Sequence, residues 1–332
     1  MNSSPIRRVL VYPVNGYLNR LQAVASAALL AHRFEAPLKV CWTHFSMVPG
    51  PPSDTFAADW CDEFILTEDQ VRSAFGLGLD DVPRYITTAP DGTWVGLRGH
   101  DRGEQALMGD LTAVLASVAA PVDLVIVAGG SFDISDPTCA EGAWSESFLS
   151  AKRDFYRGLS LNSAVESAAA EFSSAHPDGY LGLHLRYSDR AHQAPTPWAI
   201  RRALARQAAE TGLTDVFIAS DSPRARAEWS RRVEGMGLRA WDLSDSFAAL
   251  AGATSAGPAL GDWRILGGST RLVLFAESSY SVEACVASGS WASSSALPTS
   301  RMRAVGHRGL TIASNAVTYP KRRLFHRVEQ SG

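Results

Sequence analysis

Short apolar runs alternate along the chain with longer stretches in which apolar residues recur at helical spacing. Residues 9–14 are an apolar run that ends at Asn15-Gly16, so we predict a buried β-strand followed by a turn. Residues 18–34 carry apolar positions three and four apart, which predicts a helix with one face on a sheet. The next strand is predicted at residues 37–42. This β-loop-α-β order is typical of a doubly wound α/β unit.

The same alternation continues through both halves of the chain. Further strands are predicted at residues 64–66, 85–86, 94–95, 122–127, 180–185, 216–219, 238–241 and 272–275. Further helices are predicted at residues 68–75, 107–119, 148–159, 163–174, 199–210, 224–236, 263–266 and 281–288. We therefore predict two facing Rossmann-like α/β domains, at residues 1–160 and 161–310, and a basic tail at residues 311–332 that packs across them.

Length and composition fit a two-domain globular protein. A chain of 332 residues has the length expected for two domains of about 150 residues each. Hydrophobic residues make up 46% and charged residues 20%, which argues against a disordered chain. The formal net charge of −3 argues against nucleic acid as a partner.

Cysteine usage and hydropathy bear on the compartment. The cysteines at 41, 61, 139 and 285 include no Cys-x-x-Cys pair, so neither a structural zinc site nor a disulfide scaffold is indicated. The first apolar run contains Pro13 and is too short for the hydrophobic region of a signal peptide. No run of about 18 apolar residues occurs, so we expect no membrane partner. We predict a cytoplasmic protein with reduced thiols.

The predicted strand at residues 180–185 runs directly into ionisable side chains. His184 and Arg186 are two residues apart, so they point to the same side of an extended segment. Ligands bind at the strand ends of open α/β sheets, and this pair suits an anion held at the C-terminal edge. The alternative is a core strand with a satisfied His184 and a surface Arg186. The residues alone leave both interpretations open.

Other loops after predicted strands offer polar groups for the same ligand. Residues 277–281 supply hydroxyls and the free amides of a helix start, which can hold a diphosphate without a Gly-rich loop. N-capping is the alternative for Ser279 and Ser281. A helix start is the alternative for Ser222-Pro223. In the first half, residues 15–20 lie between a strand and a helix, where an anionic or polar ligand is favoured.

Motifs for several other ligand classes are absent from the sequence. No two aspartates are separated by a single residue, so a metal-binding Asp-x-Asp for a sugar nucleotide is missing. Neither Gly-x-Gly-x-x-Gly nor a P-loop occurs, which disfavours a nicotinamide enzyme or an NTPase. Any diphosphate would have to be held by arginine, hydroxyls and helix ends.

Four segments together resemble the motifs of the GT-B fucosyltransferases of the α-1,6 and protein O-fucosyl type, which include the nodulation fucosyltransferases. Residues 182–186, Gly-Leu-His-Leu-Arg, are similar to their His-x-Arg motif, and residues 217–223 are similar to their second motif. Asp262, followed by an apolar run and Ser278-Ser279-Tyr280, is similar to their third motif. The loop Gly16-x-x-Asn19-Arg20-Leu21 is similar to the one that begins their first domain.

The resemblance implies a GT-B fold with a GDP-sugar site in residues 161–310. Arg186 would bind the β-phosphate, and His184 and Asp262 would hold the guanine. The other donor-binding residues that it implies are Asp221, Ser278, Ser279 and Tyr280, of which the last three wrap the diphosphate.

The resemblance also implies a role for the first domain. Asn19, Arg20 and the loop at residues 42–45 would face the acceptor and the donor sugar, so residues 1–160 would form the acceptor side. It further implies inverting, metal-independent transfer without a cofactor, in agreement with the missing Asp-x-Asp.

The chain departs from the family pattern after the first motif. Tyr187 stands where the α-1,6 enzymes have a second Arg, as a non-Arg does in the protein O-fucosyl type. Residues 191–196 contain no carboxylate where the α-1,6 enzymes place an acidic residue, so the general base is unassigned. His192 could serve, because an imidazole titrates near neutrality, and an exposed loop histidine is the alternative. Asp189 is assigned either to orienting Arg186 or to the acceptor.

These observations predict a glycosyltransferase that moves a sugar from a GDP-sugar to a hydroxyl of a soluble small molecule or oligosaccharide. Fucose is the first candidate for this sugar. The first alternative keeps the fold and takes a UDP- or dTDP-sugar as donor. The second is an inactive module that binds a nucleotide sugar, and the last is a purely structural α/β protein.

Overall fold

The computed structural model describes residues 4–43, 48, 50–99, 103–140, 142–187, 194–243, 256–276 and 278–297. Within them, helices and strands fall into two groups along the chain, each built on its own sheet. The catalytic candidates Asp189 and His192 and the predicted tail at residues 311–332 lie outside the described residues.

The first group forms a five-stranded sheet. Its strands are β1 (Ile6–Pro13), β2 (Leu38–Val40), β3 (Tyr85–Thr88), β4 (Trp94–Arg98) and β5 (Val122–Ala128). Its helices are α1 (Tyr17–Arg33), α2 (Ala58–Phe64), α3 (Glu68–Phe75), α4 (Met108–Ser117) and α5 (Glu146–Gly158). The strand order is β2-β1-β5-β4-β3, parallel except for the antiparallel pair β3 and β4. β5 is buried throughout, since each face packs in a different hydrophobic cluster.

The second group forms another five-stranded sheet, and all its neighbouring strands are parallel. Its strands are β6 (Leu181–Leu185), β7 (Asp215–Ser220), β8 (Arg239–Trp241), β9 (Arg271–Phe275) and β10 (Ser295–Leu297). Its helices are α6 (Ser163–Ala175), α7 (Pro197–Thr211), α8 (Pro223–Glu234), α9 (Gly257–Leu266) and α10 (Ser279–Ser288). The strand order is β10-β9-β6-β7-β8, which puts β6 in the centre.

The starts of α7 and α8 follow from their sequences. The Ser222 hydroxyl accepts a hydrogen bond from the Ala225 backbone N–H at 3.3 Å, and Pro223 occupies the first helical position. Thr196-Pro197 has the same arrangement at the start of α7. A cap oxygen satisfies one of the four free amides at each helix start, and proline removes another. The helix start considered for Ser222-Pro223 is confirmed.

A glycine lets β6 approach α9 closely. A Cβ atom at Gly182 would lie 3.0 Å from Leu266 Cδ2 and 3.0 Å from Ser269 Oγ, which is tighter than an ordinary contact. The strand that carries His184 therefore packs directly on the helix that carries Asp262.

One hydrophobic cluster contains buried residues from both groups, so the two sheets are packed into one body. Val11 and Leu21 of the first group belong to it, as do Leu260 and Cys285 of the second. Helix α10 contacts both α1 and α5. The predicted architecture of two facing Rossmann-like units is confirmed, while the boundary between residues 160 and 161 stays a prediction.

Several short elements differ from the sequence predictions. Residues 64–66 are not a strand, because Phe64 ends α2 and Ile65 makes a single parallel bridge with Val40. Neither α2 nor β10 was predicted. The helical segment expected to continue through residues 263–266 is the second half of α9, which begins at Gly257.

The structure shows the state of the cysteines and the character of the described helices. All four cysteines are free, and Cys41 and Cys285 are buried. None of the described helices combines the length and the apolar character that a bilayer span requires. The cytoplasmic compartment stays a prediction.

Candidate functional site

The C-terminal ends of β6 and β7 bring the first two motifs together. The strands are parallel neighbours, with His184 opposite Ala219. The backbone N–H of Tyr187 donates to Asp221 Oδ1 at 2.8 Å, which joins the loop after β6 to the loop after β7. This is the edge at which open α/β sheets bind ligands.

His184 is buried, with 4% of its surface exposed, and its ring stacks on Tyr280 with centroids 4.7 Å apart and planes 22° apart. Its Nδ1 has no hydrogen-bond partner among the described residues. Burial lowers the pKa of His184 to about 3, so the imidazole is neutral at physiological pH. A buried polar atom without a partner is costly unless a ligand satisfies it.

Arg186 and Asp221 set the local charge around this ring. Apart from burial, Asp221 raises the pKa of His184 and Arg186 lowers it, so both charges act on the imidazole. Arg186 is half-buried at the end of β6. The strand end therefore presents one guanidinium, which suits phosphate oxygens, beside a neutral imidazole.

Asp262 reaches the same region from α9. Arg226 Nη2 donates to its Oδ2 at 3.2 Å, and Oδ1 has no partner among the described residues. Burial raises the pKa of Asp262 to about 7, with Arg226 opposing the rise and Asp242 adding to it. Burial outweighs the ion pair, so this carboxyl group exchanges its proton near neutral pH.

Tyr280 interacts with both His184 and Asp262. Its hydroxyl donates to the Ala259 carbonyl oxygen at 2.5 Å, which ties α10 to α9. Burial raises the pKa of Tyr280 well above its usual value, and Asp262 raises it further. The phenol is neutral and its hydroxyl is already bonded to the Ala259 carbonyl oxygen. Tyr280 therefore contributes the face of its ring to the site.

Serines surround the first turn of α10. Ser278 is the N-cap residue, yet its side chain makes no capping hydrogen bond, and its Oγ is buried without a partner among the described residues. The Ser281 hydroxyl donates to the carbonyl oxygens of Phe275 and Ser278, at 3.2 and 3.3 Å. Neither serine caps α10, so within the described part of the chain the first amides of this helix have no side-chain cap and can meet an anion.

Ser279 connects the two groups of elements. Its Oγ donates to Asn19 Oδ1 at 2.8 Å, although the residues are far apart in the chain. Asn19 lies in the first turn of α1. The N-termini of α1 and α10 therefore meet, and the loop at residues 15–20 faces the third motif.

Arg20 points into the core of the first group. Its Nε and Nη1 donate to the carbonyl oxygens of Asn15 and Thr43, at 3.1 and 2.8 Å, and its Cζ lies 4.9 Å from the ring centroid of Trp42. Its Nη2 has no partner among the described residues. Burial lowers the pKa of Arg20 to about 10, so the guanidinium stays charged and has no carboxylate partner within the described part of the chain.

Contacts and electrostatic effects link most of the predicted donor-binding residues into one group, which we call the strand-edge cluster. It contains His184, Arg186, Asp221, Asp262, Ser278, Ser279, Tyr280 and, across the contact with α1, Asn19. Arg20 lies one residue beyond and contacts its own loop. Asp189 and His192 fall outside the described residues, so their catalytic assignments stay predictions.

Sequence reasoning assigned no role to Arg226. Its Nη2 donates to the Ser220 carbonyl oxygen at 2.8 Å as well as to Asp262, so it joins the end of β7 to α9. The signal in the sequence is a basic residue in the first turn of the helix after the second motif. Such a position lies at the ligand edge of the sheet.

The described residues contain no group of three or more His, Cys, Asp or Glu side chains that could hold a metal ion. The strand-edge cluster instead combines one arginine, the carboxyl groups of Asp221 and Asp262, neutral rings, hydroxyl groups and the N-terminus of α10. The metal independence inferred from the sequence stays a prediction.

The chain matches no protein-family model and no curated protein. It is similar in fold to a mutant of FUT1 from Arabidopsis thaliana in complex with GDP (TM-score 0.58, 16% identity, 86% of this chain and 69% of that one). It is also similar to the fucosyltransferase NodZ from Bradyrhizobium (TM-score 0.51, 17% identity, 84% and 92%). A third is POFUT1 in complex with GDP-fucose (TM-score 0.50, 13% identity, 86% and 95%). The predicted GT-B fold of fucosyltransferases is confirmed.

Proposed function

We propose that the protein is a glycosyltransferase that transfers fucose from GDP-fucose to an acceptor hydroxyl. The observation that carries the proposal is a set of three buried polar atoms without partners among the described residues. These atoms are His184 Nδ1, Asp262 Oδ1 and Ser278 Oγ. All three lie near Tyr280: His184 stacks on its ring, Asp262 raises its pKa, and Ser278 is two positions before it in the chain. Unsatisfied polar atoms around one aromatic ring suit a planar base with hydrogen-bonding edges.

Guanine fits this set by its chemistry. Its imino and amino groups donate on one edge, which suits the carboxylate of Asp262, and its O6 and N7 accept on another edge. A neutral His184 could donate to such an acceptor. Uracil and thymine offer a single ring N–H, so they would leave more of these atoms unsatisfied. The complexes of FUT1 with GDP and of POFUT1 with GDP-fucose support the same donor.

The diphosphate would lie between Arg186 and the first turn of α10. The acceptor oxygen forms a bond to the anomeric carbon as the bond from that carbon to the β-phosphate oxygen breaks, which inverts the configuration. Arg186 and the free amides of α10 stabilise the negative charge that develops on the departing GDP. The acceptor proton passes to a base, for which His192 is the candidate, while Asp189 would orient Arg186 or bind the acceptor. We propose that these groups, without a metal, neutralise the diphosphate.

Asn19 and Arg20 belong to the acceptor side of this proposal. The hydrogen bond from Ser279 to Asn19 joins α1 to the first turn of α10. A sugar attached to the β-phosphate would lie at this contact. We propose a small molecule or oligosaccharide as acceptor. Four free thiols support a reducing compartment such as the cytoplasm.

A nucleotide panel tests the proposal. Thermal unfolding is followed with GDP, UDP, dTDP and ADP, and a ligand at about 100 times its dissociation constant stabilises the folded state by about 2.7 kcal/mol. Selective stabilisation by GDP, followed by release of GDP from GDP-fucose with an acceptor library, is the expected result. A response to UDP or dTDP alone would assign another donor. GDP binding without transfer would indicate an inactive module, and no response to any diphosphate would overturn the site.

A further inference from the structure

One face of α10 is polar, although it packs against the first group of elements. Ser279 and Glu283 are four residues apart in the helix, so they lie on the same face. Ser279 donates to Asn19 of α1, and Glu283 pairs with Lys152 of α5. The helix that begins at the proposed diphosphate site is thus held against two helices of the first group by polar contacts one turn apart.

Glu283 lies in a buried network of charged and polar side chains. Lys152 Nζ is 2.7 Å from Glu283 Oε2 and donates to Ser131 Oγ at 2.8 Å, while the Tyr156 hydroxyl donates to Glu283 Oε2 at 2.6 Å. The side chains of Lys152 and Glu283 are 0% and 3% exposed. Burial lowers the pKa of Lys152, and contact with Glu283 opposes that change.

Stability alone does not require such a pair. A buried ion pair must offset the desolvation of two charges, and apolar side chains of similar volume often stabilise a fold equally well or better. Removing one partner alone is strongly destabilising, because it leaves a buried charge. What the pair adds over an apolar contact is a fixed relative position of the two helices that carry it.

The network continues to the other helix of the strand-edge cluster. The ring of Tyr156 packs edge-on against Trp263, the residue after Asp262, with centroids 5.3 Å apart and planes 81° apart. Arg264 Nη1 donates to the Tyr156 carbonyl oxygen at 2.8 Å. α5 therefore holds both α9, with Asp262, and α10, with the serines and Tyr280.

We propose that Lys152, Glu283 and Tyr156 are positioning residues for the nucleotide. The buried pair sets the rotation and height of α10 against α1 and α5, so that its free amides, Ser278 and Tyr280 face Asp262 and His184 at the correct distance. This inference rests on the proposed function, since it takes GDP as the ligand that these residues position.

The test separates folding from binding. In the variant Lys152→Met the buried carboxylate loses its partner, so its melting temperature falls. In Lys152→Met/Glu283→Met both charges are gone, and the melting temperature returns towards that of the wild type. The dissociation constant for GDP, measured by calorimetry, stays raised by about tenfold or more in the double variant, because small displacements of positioned groups weaken ligand contacts strongly.

Two further variants keep the test decisive. Tyr156→Phe keeps the ion pair and removes one hydrogen bond, and we expect a folded protein with a dissociation constant raised about threefold. Arg271→Met/Glu210→Met is the control, because it removes a more exposed ion pair at the start of β9, away from the strand ends that form the site. This control leaves GDP binding unchanged.

The outcomes distinguish this inference from the proposed function. If the double variant and Tyr156→Phe both bind GDP as tightly as the wild type, the network only supports the fold and the positioning role is wrong. If the double variant does not fold, wild-type affinity in Tyr156→Phe is sufficient to reject the role. If the wild type itself does not bind GDP, the proposed function fails, and the positioning role fails with it.

Discussion

Asp262 is a buried carboxyl group whose pKa is raised to about 7 by burial. Only its ionised form can accept two hydrogen bonds from guanine, so we expect GDP to bind more weakly as the pH falls through 7, by about tenfold per pH unit well below it. Calorimetric titration with GDP from about pH 5.5 to about 8.5, roughly one and a half units below and above the pKa of Asp262, measures how the dissociation constant changes with pH.

The control for this pH dependence is Asp262→Asn, which cannot ionise. It should bind GDP weakly and with little pH dependence over the same range. A wild-type affinity that stays constant across pH 7 would show that Asp262 does not contact the base.

The same raised pKa affects stability in the absence of ligand. The folded protein keeps the proton of Asp262 up to about pH 7, whereas the unfolded chain releases it near 3.8. The unfolded state therefore binds fewer protons between these values, and this group makes the free energy of unfolding fall as the pH rises from about 4 to 7. Without GDP, Asp262→Asn should melt above the wild type at pH 8.

His184 offers a second test at the level of one side chain. His184→Phe keeps a flat ring on Tyr280 and removes Nδ1, a buried polar atom without a partner among the described residues. Leaving such an atom unsatisfied costs about 1 to 3 kcal/mol, so the free energy of unfolding should not fall, while GDP affinity should fall about tenfold. Urea unfolding and GDP titration measure the two effects. A variant that binds GDP normally would remove His184 from the site.

The site residues were predictable from the sequence to different degrees. His184 lies in a buried strand, and Arg186 and Asp221 directly follow buried strands. Because the ends of parallel strands meet at one edge, the proximity of these three residues follows from local pattern. Arg226 was missed, because its partner Asp262 lies on another helix. The pairing of Lys152 with Glu283 was also missed, since it depends on the packing of α5 against α10, which no local pattern specifies.

At the level of elements, the apolar runs located the central strands well. β5, β6, β7 and β9 agree with their predicted ranges to within one or two residues, because buried parallel strands are nearly continuous apolar runs. β2 and β10 have three residues each, too few for a periodic signal. β10 was missed and β2 is shorter than predicted, whereas β8, which also has three residues, was located to within one residue.

The close packing of β6 on α9 gives a prediction for one element. Gly182→Ala would put a Cβ atom 3.0 Å from Leu266 Cδ2, so we expect a loss of about 1 to 3 kcal/mol in the free energy of unfolding. Urea unfolding measures it.

The matched control is Gly109→Ala in α4, where a Cβ atom would meet nothing within 4 Å. Alanine favours helix over glycine, so this variant should be stabilised by up to about 1 kcal/mol. Equal stability of the Gly182 variant and the wild type would contradict the tight contact between β6 and α9.

At the level of the whole molecule, the shared hydrophobic cluster predicts cooperative unfolding. Residues of both sheets pack in one cluster, and α10 contacts helices of the first group. Separating the two halves would expose this apolar surface, so we expect one calorimetric transition whose calorimetric and van't Hoff enthalpies agree. Two resolved transitions would show that the halves unfold independently.

The general architecture followed from the sequence more readily than the contact between the halves. Alternating strands and helices predict two doubly wound units. Their mutual packing depends on particular residues, such as Ser279 with Asn19, that lie far apart in the chain. The likeness to FUT1 and NodZ confirms the fold at 16% and 17% identity.

In the proposed reaction, the strand-edge cluster binds GDP-fucose and Arg186 stabilises the departing diphosphate. The most direct test is the rate of GDP release from GDP-fucose, with an acceptor library, by the wild type and by Arg186→Ala. We predict turnover by the wild type and a rate lower by about a hundredfold or more in the variant, at an unchanged melting temperature. Full activity in folded Arg186→Ala, or no turnover of GDP-fucose by the wild type, would contradict the account.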